Sequence, residues 1–187
     1  MALTYRALDN QDIFPVSWVQ TDAVQTVVRV SPLGVCLLQA VRLPTGRTPD
    51  KRNSAEFITD FCYSSVNDVL QAILNLPLED ILLHTMGFLN NDSRINKLIS
   101  KLAQTVVTRR PGQSVETYQL DGVAATYHQL YVKSDDGIFM LIQDITYIPL
   151  SSQEEAANEQ FLQAIDQRAP VSQVRKLLLD LISGQTS

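Results

Sequence analysis

The sharpest change of hydrophobic period falls between residues 108 and 114, and it constrains the fold more than any other feature of the sequence. Before it, Ile95, Leu98, Ile99, Leu102 and Val106 recur at helix spacing, with Ser93 in place to cap and Pro111-Gly112 to close. After it the period is two. SVETYQL at 114–120, VAATYHQLYVK at 123–133 and GIFMLIQDITYI at 137–148 read as strands, separated by Asp121-Gly122 and by Ser134-Asp135-Asp136-Gly137. Both separators are hairpin turn chemistry. A long helix feeding three hairpin-linked strands predicts an α+β fold built on an antiparallel sheet.

Upstream, GVCLLQAVRL at 34–43 is an apolar run of strand length, LPTGRTPDKRNS at 43–54 an exposed loop, and AEFITDFCYS at 55–64 a second strand returning beside the first. Val66, Val69, Leu70 and Ile73 then fall at helix spacing as far as Pro77, and residues 78–89 give a shorter amphipathic piece with Glu79 and Asp80 in its first turn, which suits the helix dipole. Residues 21–32 read equally as a helix capped by Thr21 or as a valine-rich strand. Residues 1–20 have no period and form an N-terminal extension. Downstream, Ser152-Gln153-Glu154-Glu155 reads as a capping box that starts a helix with Ala157, Phe161, Ala164 and Ile165 on one face. Pro170 interrupts, and Val171, Val174, Leu178 and Leu181 make a second apolar stripe, broadened by Leu177 and Ile182.

With 45% apolar and 19% charged residues the chain can bury a core. Its 20 acids against 15 bases, net −5, oppose nucleic-acid binding through bulk charge, which requires the reverse balance. The acids among the first 14 residues do not suit a signal peptide, and no apolar run approaches about 18 residues, so neither a leader nor a membrane association is expected and the location expected is cytoplasmic. Two cysteines, Cys36 and Cys62, are too few for a disulfide framework or a four-thiolate zinc site. Nucleophile elbow, glycine-rich phosphate loop and zinc-protease motifs are all missing. The acid pairs Glu79-Asp80 and Asp135-Asp136 suit a helix start and a turn, and Arg109-Arg110 suits a helix end. No catalytic residue and no metal ligand set is expected, and the chain is read as non-enzymatic.

Several segments resemble the PAS domain family over residues 21–147. Ser31-Pro32-Leu33-Gly34-Val35 is similar to the small-residue lead-in to a first PAS strand. Phe57 through Asn67 resembles the second strand running into a helix started by asparagine, although the alanine usual two residues later is Val69 here. Leu76 through Ile81 and Arg110 through Glu116 resemble the acidic helix segment and the lead-in to the third strand. The run ending in Asp144-Ile145-Thr146 looks like the family's exit from its last strand. Their order along the chain carries the resemblance, since each motif alone is degenerate.

The resemblance implies a five-stranded antiparallel sheet with short helices on one face, followed by a helical C-terminal tail over 148–187 that leaves no room for an output enzyme. It implies a sensory or protein-interaction module in signal transduction, acting on a signalling partner. The family's flavin photosensors carry a reactive cysteine just after the second strand, where this chain has Val66 to Leu70, and Cys62 is read as a buried structural thiol. Its haem-binding members use a histidine on the long helix, which has none here; His84 and His128 lie elsewhere. No cofactor is therefore expected. By alternation and helix face, an interior pocket is expected to be lined by Val35, Leu37, Phe61, Val69, Ile73, Leu102, Tyr127, Leu141 and Gln143, with a filled core and a small apolar ligand both open. Val171, Val174, Leu178 and Leu181 are expected at a homodimer interface, with packing on the chain's own sheet as the other possibility. The competing functional reading is a small acidic chaperone that binds a client on its sheet.

Overall fold

The computed structural model describes residues 28–29, 31–42, 57–89, 93–120 and 123–183. The extension at 1–20, all but Val28, Arg29, Ser31 and Pro32 of the ambiguous segment at 21–32, the loop at 43–54 and the Asp121-Gly122 turn lie outside the described residues. Strands β1 (Gly34–Arg42) and β2 (Ile58–Val66) are followed by helices α1 (Asp68–Leu74), α2 (Leu78–Leu83), α3 (Met86–Leu89) and α4 (Ser93–Thr108). Strands β3 (Gly112–Leu120), β4 (Val123–Ser134) and β5 (Gly137–Asp144) come next, then helices α5 (Ser152–Asp166) and α6 (Val171–Ser183).

The five strands form one antiparallel sheet in the order β2-β1-β5-β4-β3. β5 takes the middle position because its run from Gly137 to Ile142 is buried on both faces, which only an inner strand covered on both sides allows. The β4–β5 hairpin closes through Asp135, at φ 46°, and Asp136, whose carboxylate pairs with Arg42. Gly137 is required here: a Cβ would stand 1.8 Å from the carbonyl oxygen of Leu38.

Helices cover both faces. On the inner face Cys36, Leu38, Met140 and Ile142 meet Leu70, Ile81, Leu98 and Leu102 of α1, α2 and α4. On the outer face Val35, Leu37, Phe139 and Leu141 meet Phe161 and Ile165 of α5 and Val174, Leu178 and Ile182 of α6. The tail therefore builds the second half of the core.

Asn67 joins three segments. Its side-chain oxygen accepts from the backbone N–H of Leu70 (3.1 Å), capping α1, and from that of Val35 (2.9 Å) in β1. Its amide nitrogen donates to the carbonyls of Leu33 (2.9 Å) and Val28 (3.1 Å). The capping box of α5 sits one residue earlier than the sequence suggested, at Ser151 and Glu154. Ser151 is the residue in extended conformation; its hydroxyl accepts from the Glu154 N–H (3.2 Å) while Glu154 accepts from the Ser151 N–H (2.8 Å).

His128 is buried on the outer face of β4, hydrogen-bonded to Gln113 (3.2 Å). Burial lowers its pKa, partly offset by the charge of Glu155. A histidine depressed in the folded state keeps its full contribution above the unfolded value of about 6.5, and stability is lost as pH falls below it, by at most about 1.4 kcal/mol per pH unit for one group. Urea melts across pH 7.5 to 5 should show this loss, and His128→Gln should flatten the profile.

Candidate functional site

Between the inner sheet face and the helices lies a cavity of about 60 Å³. Tyr63 of β2, Tyr118 of β3, and Tyr127 and Gln129 of β4 form its polar wall; Leu70, Ile73, Leu98, Met140 and Ile142 contribute most of the rest. Gln129 donates from Nε2 to the Tyr118 hydroxyl (3.2 Å) and accepts at Oε1 from the Ser114 hydroxyl (3.2 Å), which fixes the amide. The Tyr118 and Tyr127 rings stand 6.0 Å apart and tilted, and the Arg94 guanidinium lies 5.7 Å over the Tyr118 ring. Burial raises the pKa of Tyr63, Tyr118 and Tyr127, so the phenols are neutral at physiological pH. None of the described lining residues is acidic or basic. The cavity suits a small neutral group with one or two polar atoms, far below the ~300–1,000 Å³ of a drug-sized site.

Of the residues expected to line a pocket, Ile73 and Tyr127 do so. Phe61 and Leu102 are fully buried in the same core, away from the opening, and Val69 is half-buried on α1. Val35, Leu37 and Leu141 stand on the opposite face, against α5 and α6. The register fixes this: Val35 pairs with Leu141 and Leu37 with Phe139, while Cys36 pairs with Met140. Directly opposed residues share a face, so the pairs alternate between the two cores. Gln143 also faces outward and donates to Glu154 Oε1 (3.1 Å). Tyr63, Tyr118, Gln129 and Met140 were missed. Stepping by two from Tyr127 reaches Gln129, a signal the sequence did contain.

The stripe on α6 is corrected in the same way. Val174, Leu178 and Leu181 are 1%, 0% and 8% exposed, covered by the chain's own sheet, and only Val171 remains open at 51%. A free α6 of 13 residues is marginal in water, and the apolar outer sheet face lies within the same chain at no cost in association entropy. These side chains are not available to a second copy.

Two strands, a run of helices laid across one sheet face, and three hairpin-linked strands closing the order β2-β1-β5-β4-β3 are now in view. The fold is PAS-like. No family model matches the chain, and no curated protein does. Among solved structures it is similar to the LOV protein of Rhodobacter sphaeroides, at 12% identity and a TM-score of 0.49, covering 86% of this chain and 90% of that one. It is also similar to a domain of a sensory box sensor histidine kinase/response regulator from Geobacter sulfurreducens (15% identity, TM-score 0.45, 67% and 94% covered). A domain of an HTR-like protein from Haloarcula marismortui gives 14% identity and a TM-score of 0.39, with 62% and 100% covered.

The residues of this PAS-like cavity do not fit a flavin or a haem. Its volume of about 60 Å³ admits neither ring system. Cys36 is buried with its thiol pushed far up by desolvation, and Cys62, half-buried in β2, is raised by burial and by Asp60. Neither is a reactive thiolate. His84 hydrogen-bonds the Asp80 carbonyl (2.8 Å) and stacks on Phe88 outside the cavity. Purified protein should show no flavin or Soret band; one that co-elutes with the protein at constant ratio would contradict this assignment.

Proposed function

We propose that the chain is a sensory or protein-interaction module of signal transduction that works without catalysis. A small neutral ligand in the inner cavity, or a partner engaging the helices around it, shifts the balance between arrangements of α5 and α6 on the opposite face. A bias of about 1–3 kcal/mol is enough for such coupling. The single observation that carries this reading is the alternation along β5: Met140 and Ile142 line the cavity, while Phe139 and Leu141, their chain neighbours, touch the tail. A strand shared by two packed layers passes displacement from the side chains on one face to those on the other, because packed interiors are stiff and transmit strain.

The signalling partner in this reading contacts the inner helices or receives the tail. Native mass spectrometry of the protein isolated from its own host tests the proposal. The expected result is either a bound small neutral molecule or a stoichiometric folded partner. Recovery of one abundant unfolded client in place of both would overturn it in favour of a chaperone.

A further inference from the structure

On the outer side of the sheet, where β5 ends and α5 begins, a larger opening of about 470 Å³ lies at one end of the contact between sheet and tail. Gln143 and Asp144 border it from β5, Glu154 and Asn158 from α5, and Leu33 and Leu181 supply apolar wall. None of its described lining residues is a lysine, arginine or histidine. Asn158 is the informative residue. It is only 5% exposed, yet its side-chain amide has no hydrogen-bond partner among the described residues, and its polar atoms are not sealed off from the opening they line. Its amide therefore faces the opening, where a ligand or water can reach it.

Both carboxylates are acceptors with capacity to spare. Glu154 accepts from Ser151 and Gln143, and these bonds hold its pKa below the usual carboxylate range. Asp144 uses Oδ1 for the Thr146 N–H (2.8 Å), and its Oδ2 has no donor among the described residues. Two carboxylates, an amide able to accept and an apolar wall converge on one opening.

We propose that this cleft is a binding site for a small organic cation, with an ammonium group set between Asp144, Glu154 and the Asn158 carbonyl and its carbon chain against Leu33 and Leu181. A bare metal ion is the poorer match, because no group of three or more His, Cys, Asp or Glu side chains positioned to hold one occurs among the described residues. An ammonium group needs only such scattered acceptors, and its alkyl chain uses the leucines. A ligand here would join the end of the sheet to the first helix of the tail and hold the two together.

Titration calorimetry on the full chain tests this, with 1,4-diaminobutane as probe and 1,4-butanediol and magnesium chloride as controls. The expected result is saturable binding of the diamine, no saturable binding of the diol or of magnesium, and a loss of about tenfold or more in both Asp144→Asn and Asn158→Leu, the usual effect of removing a hydrogen bond to a charged group. Asp144 is exposed, so its variant should fold normally. Asn158→Leu removes an amide that bonds to none of the described residues, and its unliganded melting temperature should stay level or rise. Absence of saturable diamine binding up to about 10 mM, equal binding of the diol, preference for magnesium, or undiminished affinity in both variants would overturn the proposal.

Discussion

Asn67→Ala should destabilise the folded chain by about 3–5 kcal/mol, among the largest losses available to a single side chain outside a pure cavity mutation. Alanine removes the cap of α1 and the acceptor for the Val35 N–H, and strips the donors from the carbonyls of Leu33 and Val28. Asn67 is 6% exposed, so water does not readily replace those bonds. A lost N-cap alone costs about 1 kcal/mol, and each buried group left unpaired adds about 1–3. Asn67→Asp separates the two halves. It keeps both accepted bonds but loses the donated ones and turns a buried carboxylate toward two carbonyls, so it should also destabilise, increasingly as pH rises through the carboxyl's range. Urea midpoints measure both variants. A loss under about 1 kcal/mol for alanine would mean that Asn67 caps the helix and does nothing more.

Ending the chain at Leu150 should abolish the folded monomer. The cut uncovers Val35, Leu37, Leu130, Val132, Phe139 and Leu141 together. At roughly 1.5–3 kcal/mol for each such side chain, the lost burial is comparable to the whole stability of a typical domain, about 5–15 kcal/mol. The product should aggregate or expose an apolar face to a hydrophobic dye, as measured by light scattering and dye fluorescence. Leu178→Asp in the full chain should reproduce part of the loss, because Leu178 is fully buried in that layer. Both results differ from those of a dimer held by α6, where truncation would leave a stable, soluble monomer.

The long helix, the three final strands and their order were legible because periodicity and turn chemistry agree there. Ser93 to Thr108 carries an unbroken stripe, and Ser134 to Gly137 is a hairpin turn in composition and in structure. The face assigned to each strand residue was not legible. GVCLLQ and GIFMLI are apolar at nearly every position because both strands are covered on both sides, and a run without polar alternation carries no parity. Val35, Leu37 and Leu141 were thus placed toward the cavity, one residue out of phase with Cys36, Leu38 and Met140. The α6 stripe showed that a surface had to cover it, while amphipathicity is indifferent to whether that surface belongs to the same chain. The cleft beside Asn158 left no signal, since an asparagine on a helix is ordinary until its partners can be counted.

Hydrogen exchange across the sheet tests the central claim most directly. Ile73→Phe enlarges a half-buried residue at the cavity and touches nothing on the outer face. If the sheet couples the two layers, amide exchange in α6 between Val174 and Ile182 should change several-fold in this variant relative to the natural chain. A change confined to α1 and its neighbours, with α6 exchanging as before, would contradict transmission from the cavity to the tail.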